Sequence, residues 1–164
     1  TIIEATYHTG WILIYMGVST FIVQFFIIRK ISPTPGTLLR IGSIFTIFAL
    51  LIIVFSANLN LMGISLAVYG IGGALMGPGL FTGMSLAVGK DEQGAAAGIL
   101  VSAFAAGFVI NPLTGMQLFD WNPDAPYFLG IILMITCLII AIIDKRLNIK
   151  VDYDESMGPS GHTG

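Results

Sequence analysis

The sequence predicts an all-α integral membrane protein, a bundle of five transmembrane helices. Hydrophobic residues make up 55% of the chain and charged residues 10%, whereas about a quarter of the residues in soluble domains are charged. The mean hydropathy is +0.91. The apolar residues form five runs, each long enough for a helix to cross the hydrocarbon core, and the seven Lys and Arg residues fall in alternate gaps.

Each run is predicted to be a helix, because backbone polar groups cannot remain unpaired in lipid. Tyr7 and Trp11 mark the outer edge of the first span, where amphipathic rings favour the headgroup depth. Breaker residues at 32–36 and 121–124 mark two of the loops. The predicted spans, in chain order, are 10–28, 41–57, 61–87, 94–119 and 127–143.

The positive residues predict the direction of threading. Cytoplasmic loops are enriched in Lys and Arg, so the chain should begin outside, cross five times and end in the cytoplasm of a cell (inner or plasma) membrane. Residues 144–164 are predicted to be a disordered, polar cytoplasmic tail. The residues that carry this pattern are Arg29, Lys30, Arg40, Lys90, Lys145, Arg146 and Lys150.

The five spans are of two kinds. The second and fifth are almost uniformly bulky, which is typical of helices that face lipid. The third and fourth are rich in small residues four apart, so we predict that both are interior and tightly packed. Each also contains one proline, which should kink it. The residues predicted to pack or kink these helices are Gly73, Gly77, Pro78, Gly94, Gly98, Gly107 and Pro112.

A short inventory of polar and large side chains within the spans gives the candidate substrate pathway. Gln24 and Asn111 are the foremost candidates, because an amide in hydrocarbon usually faces the bundle interior. The alternative for each is an interhelical hydrogen bond, and for the tyrosines simple packing. The full set of candidates is Gln24, Asn111, Tyr15, Tyr69, Met76 and Phe81.

Signs of enzymatic or nucleic-acid chemistry are absent from the sequence. It contains no His-Glu-x-x-His, no Gly-x-Ser-x-Gly and no Walker loop, and no basic patch suited to phosphate. We therefore predict no catalytic residue, no metal, no cofactor and no nucleic-acid partner. The single cysteine, Cys137, lies in an apolar run and is interpreted as a small filler. Asp91, Glu92 and Gln93 are expected to cap the fourth helix.

Motifs in the third and fourth spans resemble those of a known family. Gly73-Ala-Leu-Met-Gly77-Pro78-Gly79, the cytoplasmic Glu92-Gln93-Gly94 and the late Asn111-Pro112 resemble the carboxy-terminal half of the major facilitator superfamily. The likeness is to drug:proton antiporters of the tetracycline-exporter type. Asn111 stands where that family has glycine, and Phe81-Thr82 stands where its antiporter signature ends in Gly-Gly.

The resemblance implies that the spans match helices eight to twelve of a twelve-helix transporter. The second and fifth would then be outer helices, and the third would line the central cavity. The implied partners are the lipid bilayer, the missing amino-terminal half, a small-molecule substrate and protons. The implied function is proton-coupled efflux by alternating access. Two alternatives stay open: an uptake symporter of the same fold, and a small structural or assembly membrane protein.

Overall fold

A computed structural model describes residues 2–28, 33–56, 58–144 and 147. This part of the chain contains five helices that are long and apolar enough to cross a membrane. Most of the predicted tail, and the cationic residues at 29, 30, 145, 146 and 150, lie outside the described residues. The helices are α1 (Ile2–Ile22, continued by a π-helical segment Val23–Ile28), α2 (Pro35–Val54), α3 (Leu59–Ala87), α4 (Gln93–Trp121) and α5 (Ala125–Ile143).

Local sequence accounts for where several helices begin. The Thr34 hydroxyl accepts a hydrogen bond from the Thr37 backbone N–H at 3.3 Å, and Pro35 follows at the first helical position. α2 therefore starts well before the predicted bound at 41, and Pro35 begins a helix instead of breaking a loop. The Asn58 side chain likewise accepts from the Leu61 N–H at 3.0 Å and caps α3.

The bundle is built around α2 and α3. α2 packs along α3 and also against α5, while α1 packs on the other side of α3. Buried side chains of Val23, Leu38, Ala74 and Leu75 form the apolar core where α1, α2 and α3 meet. The prediction that the third span is interior is confirmed by these contacts and by its buried glycines.

The prediction that the second span is an outer, lipid-facing helix is wrong for the described chain. Its small residues lie on one side and are buried: Gly42, Ser43, Thr46 and Ala49. An added Cβ at Gly42 would lie 2.9 Å from the Gly72 carbonyl oxygen of α3, so the two backbones approach closely. Ile41, Ile44 and Phe48 of the same helix are exposed. The position of α2 in the bundle depends on how large and small side chains are distributed around the helix, and not on their average size.

The prediction that the fourth span is interior and tightly packed stays a prediction, because the described residues give this helix few neighbours. α4 has no buried residue, and it contacts only limited parts of α3 and α5. Small side chains permit close approach, but they do not determine which helix approaches. α5 behaves as predicted for an outer helix, because Ile131 and Ala141 are its only buried residues in this part of the chain.

Side-chain hydrogen bonds to backbone carbonyls join neighbouring helices. The Ser65 hydroxyl donates to the Ala49 carbonyl oxygen at 2.8 Å, which links α3 to α2. At the end of the bundle assigned to the cytoplasm, Arg40 Nε donates to the Ala141 carbonyl oxygen at 2.8 Å. A cation there satisfies a carbonyl in the last turn of α5 and lies favourably in the field of the helix terminus.

Candidate functional site

A cavity lies between the first halves of α1 and α3, at the end that the charge pattern assigns to the outer side. Its volume is about 630 Å³, within the usual range for small-molecule sites. We call it the outer cavity. It is lined by Tyr7, Trp11, Ile12, Tyr15, Leu59, Asn60, Gly63, Ile64, Ala67, Val68 and Ile71.

One wall of the outer cavity is aromatic. Tyr7, Trp11 and Tyr15 are spaced four residues apart, so they share one face of α1. The rings of Tyr7 and Trp11 meet edge to face, with centroids 6.1 Å apart and an interplanar angle of 74°. Gly63 forms part of the facing wall, and a Cβ added there would lie 3.4 Å from Tyr15 Cδ2. The glycine thus lets the Tyr15 ring lie directly against α3.

The described lining of the cavity is mostly apolar and includes a few uncharged polar groups. The Tyr15 hydroxyl, the Trp11 indole N–H and the Asn60 amide are hydrogen-bonding groups of the lining, and none of the described residues that line the cavity is Asp, Glu, Lys, Arg or His. Of these groups, only Tyr15 was predicted to belong to the substrate pathway. The four-residue spacing of the aromatic residues on α1 is a sequence signal that Tyr7 and Trp11 share a face with Tyr15. From their position at the edge of the span, Tyr7 and Trp11 were interpreted only as anchors at the membrane interface.

The other predicted pathway residues are not brought together with Tyr15. Gln24 is exposed on the π-helical segment after α1, and Asn111 is exposed on α4. Asn111 lines two smaller cavities, one of about 220 Å³ between α4 and α5 and one of about 170 Å³ along α4. Tyr69 is partly exposed on α3 and is not among the residues that line the outer cavity.

Met76 and Phe81 have helix neighbours in the described chain. Met76 turns towards α2, where its Sδ lies 3.9 Å from Thr46 Oγ1. In the described chain its side chain fills the space over Gly42, and its role in a substrate pathway stays a prediction. The Phe81 ring contacts the Phe104 ring of α4, with centroids 6.1 Å apart.

The family model described as Major Facilitator Superfamily matches residues 2–159, nearly the whole chain. The chain belongs to the major facilitator superfamily. This family consists of membrane transporters and not of enzymes. The protein is accordingly a multi-pass membrane transport protein. No curated protein and no solved structure gives a significant match to the chain.

In this major facilitator chain, the glycines singled out by sequence fall into two groups. A Cβ added at Gly73, Gly77, Gly94 or Gly98 would meet no described neighbouring atom within 4 Å. At Gly107 the nearest such atom is Asn111 Nδ2, at 4.0 Å. The glycines that do meet another helix closely include three that were not among the predicted packing residues: Gly42, Gly70 and Gly72. The prolines Pro78 and Pro112 lie inside the continuous helices α3 and α4.

The cytoplasmic Glu92-Gln93-Gly94 motif forms the junction between α3 and α4. A short 3₁₀ turn, Lys90–Glu92, precedes α4, and Glu92 at the cap position makes no side-chain capping hydrogen bond. Gln93 Nε2 donates instead to the Ser85 carbonyl oxygen at 3.3 Å. The expected capping of the fourth helix by Gln93 is wrong, because this amide satisfies a carbonyl in the last turn of α3.

Proposed function

We propose that this chain forms helices eight to twelve of a twelve-helix major facilitator transporter that exports a small molecule in exchange for protons by alternating access. The family match supports transport, and the motif resemblance supports the antiporter type and the carboxy-terminal position. In this proposal the bundle rocks against the amino-terminal half about a site near the middle of the membrane.

The observation that carries the proposal is an open surface of small residues. Gly73 and Gly77 on α3, and Gly94 and Gly98 on α4, have no described neighbour where a Cβ would stand. Exposed large apolar side chains can be covered by lipid. Small residues four apart, in contrast, allow the backbone of another helix to approach closely. Such a surface supports association with further helices, which the proposal identifies as the amino-terminal half.

The positions of the charged residues indicate where a proton-binding side chain could lie. Between residues 41 and 119 the only charged residues are Lys90, Asp91 and Glu92, at the α3–α4 junction. Residues 9–28 and 125–143 contain none. Proton relays within membranes depend on ionisable side chains inside the spans. The titrating carboxylate of a proton-coupled protein would therefore lie outside these uncharged segments, and the proposal places it in the amino-terminal half.

Glycine substitutions test the proposed helix contacts. In the full-length protein, Gly77→Leu and Gly98→Leu should abolish transport and leave membrane insertion intact, because a large side chain would hold the facing helix away. Gly10→Leu is the control, since Gly10 also has no described neighbour within 4 Å but lies outside this surface. Transport that survives both surface substitutions would contradict close helix approach there.

The direction of flux distinguishes the antiporter from its alternatives. In inverted membrane vesicles with an acidified lumen, an exporter of this type should release protons when an apolar, amphipathic substrate is added. Proton movement in the opposite sense would indicate the uptake symporter. A protein that inserts normally but drives no solute or proton flux would support the structural or assembly alternative.

A further inference from the structure

A second cavity lies in the half of the bundle that the charge pattern assigns to the cytoplasm. Its volume is about 480 Å³, and its walls are formed where α2 and α4 begin and where α3 and α5 end. We call it the inner cavity. Its lining includes Leu39, Gly79, Leu100, Cys137, Ala141 and Leu147.

We infer that the inner cavity holds an acyl chain of a glycerophospholipid with an anionic headgroup, and that Arg40 binds the phosphate of that headgroup. Such binding is additional to the proposed function, because it requires no transport. Three features support it: the apolar lining of the cavity, the helix faces that form its walls, and the position of Arg40.

The lining of the inner cavity suits a hydrocarbon chain. Most of its side chains are aliphatic, and the Thr136 hydroxyl donates to the Ile132 carbonyl oxygen of its own helix at 2.9 Å. The Cys137 thiol behaves as a small apolar side chain. The described side chains therefore offer a ligand many dispersion contacts and few hydrogen bonds.

The face of α5 beside the inner cavity has the composition of a lipid-facing surface. Leu133 and Ile140 line the cavity and are also 56% and 58% exposed. Gly130 is turned towards α2 instead, since a Cβ added there would lie 3.1 Å from Leu50 Cδ1. An exposed helix face of large apolar side chains is typical of contact with lipid. An acyl chain can therefore reach the cavity along α5.

The small-residue surface that is proposed to meet the amino-terminal half lies on other helix faces. Successive residues of an α-helix are rotated by about 100°, so residues two apart lie on nearly opposite faces. Gly79 lines the inner cavity, whereas Gly77 belongs to the small-residue surface of α3. Leu100 and Gly98 have the same relation on α4. Helices that pack on the small-residue surface would therefore approach on the side away from Gly79 and Leu100.

Arg40 places a cation at the cytoplasmic rim of the inner cavity. It follows the lining residue Leu39 in the chain, and its Nε donates to the carbonyl oxygen of the lining residue Ala141 at 2.8 Å. Only the Nε–H is used in this bond, and no described residue accepts from either Nη group. The acid at the end of α5, Asp144, already has an interaction of its own.

The two Nη groups of Arg40 are suited to phosphate, because a guanidinium can donate to two phosphate oxygens at once. Basic pockets between membrane helices on the cytoplasmic side are typical sites for anionic headgroups. A glycerophospholipid satisfies both parts of the site, since its acyl chain would lie in the apolar cavity and its headgroup at the rim. An anionic headgroup is favoured over phosphatidylcholine, whose choline would bring a second cation towards Arg40.

Competition between phosphatidylglycerol and phosphatidylcholine with identical acyl chains tests the headgroup. The full-length protein is purified in detergent with equal amounts of both lipids, and native mass spectrometry counts the lipids that stay bound. Phosphatidylglycerol should be retained about fivefold more often. Arg40→Gln should lose one bound phosphatidylglycerol, whereas Lys90→Gln, which removes a cation from the α3–α4 junction, should keep it. Unchanged retention in Arg40→Gln, or an equal loss in Lys90→Gln, would overturn the assignment.

A photoreactive phosphatidylglycerol with a diazirine in its acyl chain tests the cavity itself. Because Gly79 is buried, lipid that merely surrounds the bundle should not label it, whereas a chain in the inner cavity should. Cys137→Phe should reduce labelling of residues 79–84 about fivefold or more, because the added ring occupies the cavity. Ile135→Phe is the matched control, since Ile135 is exposed on the same helix and is not among the described lining residues.

The alternative occupants give other results in the labelling experiment. Absence of labelling at residues 79–84 in the parent would mean that the cavity is closed or filled by the protein, and would refute the site. Equal labelling by a photoreactive phosphatidylcholine would mean that any acyl chain enters, and would refute the role of Arg40. Labelling unchanged by Cys137→Phe would place the bound chain elsewhere. None of these measurements involves flux, so they can fail while the proposed function holds, and the reverse.

Discussion

At the scale of single residues, two adjacent glycines of α3 have opposite surroundings. A Cβ added at Gly72 would clash with Thr46 Oγ1 of α2 and lie 2.9 Å from the Gly42 carbonyl oxygen. A Cβ added at Gly73 would meet no described neighbour within 4 Å. Glycine is therefore required at position 72, where the backbones of α2 and α3 approach closely. No contact among the described residues requires glycine at position 73.

We therefore expect Gly72→Ala to destabilise the α2–α3 pair by about 1–3 kcal/mol, because the extra methyl group forces the helices apart. Gly73→Ala should leave that pair intact, since alanine is the better helix former. The checks are the free energy of unfolding in detergent and the distance between spin labels on α2 and α3. Equal α2–α3 separations in the two variants would contradict the packing described for Gly72.

Two buried serines offer a second comparison at this scale. Ser65 donates its hydroxyl to the Ala49 carbonyl oxygen, whereas Ser43 Oγ is buried without a hydrogen-bond partner among the described residues. Ser65→Ala should cost about 0.6 kcal/mol and at most about 1.7 kcal/mol, as measured for hydrogen bonds between membrane helices. Ser43→Ala should be neutral or stabilising, because it removes an unsatisfied polar group.

The measurement is the free energy of reversible unfolding of both serine variants under identical detergent conditions. A larger loss for Ser43→Ala than for Ser65→Ala would mean that the Ser43 hydroxyl has a partner, such as a buried water molecule.

At the scale of elements, the described chain attaches α4 less firmly than any of its neighbours. The contacts that join it to α3 include the Phe81–Phe104 ring pair and the Gln93 hydrogen bond to Ser85. A cavity of about 480 Å³ lies where the cytoplasmic half of α4 approaches α2, α3 and α5. An apolar gap forfeits the dispersion contacts that firm packing would provide. α4 is thus the helix of this bundle that is easiest to move.

Removing one ring should loosen α4 further. Phe104→Ala is expected to weaken the α3–α4 contact by about 1 kcal/mol, through loss of the aromatic pair. Phe108, one turn along and 81% exposed, provides a control on the same helix. Spin labels on α3 and α4 should give a broader distance distribution in Phe104→Ala and an unchanged one in Phe108→Ala. Indistinguishable distributions would show that the ring pair does not hold α4.

At the scale of the whole molecule, the threading predicted from Lys and Arg can be tested at two loops. The α3–α4 junction contains Lys90, and the α4–α5 loop contains Asn122. In a background in which Cys137 and every cysteine outside this chain are replaced by alanine, a membrane-impermeant maleimide added to intact cells should label Asn122→Cys and spare Lys90→Cys. The physical reason is that cytoplasmic loops retain the cationic side chains.

Permeabilised cells supply the control, because both single-cysteine variants should then react. Labelling of Lys90→Cys in intact cells would reverse the threading of the whole bundle. The proposed assignment to helices eight to twelve would fail with it, since that assignment places the carboxy terminus in the cytoplasm.

Part of the candidate site was accessible from the sequence. Tyr15 was predicted as a pathway residue, and the four-residue spacing of Tyr7, Trp11 and Tyr15 is a helical signal of a shared face. Asn60 was not predictable as a lining residue, because its place depends on how α3 crosses α1. Met76 was assigned to a cavity wall on its chemistry alone, and in the described chain its side chain packs against Thr46 of α2.

The sequence alone determined that the chain is a five-helix membrane bundle of a transporter family. Hydropathy measures how each segment partitions between lipid and water, and that partition needs no knowledge of neighbouring helices. Only the tertiary structure decided that α2 is central and α4 peripheral, that Gly72 and not Gly73 meets another helix, and that α1 and α3 enclose the outer cavity. These outcomes depend on which pairs of helix faces fit together, and small residues permit such a fit on several faces without selecting one.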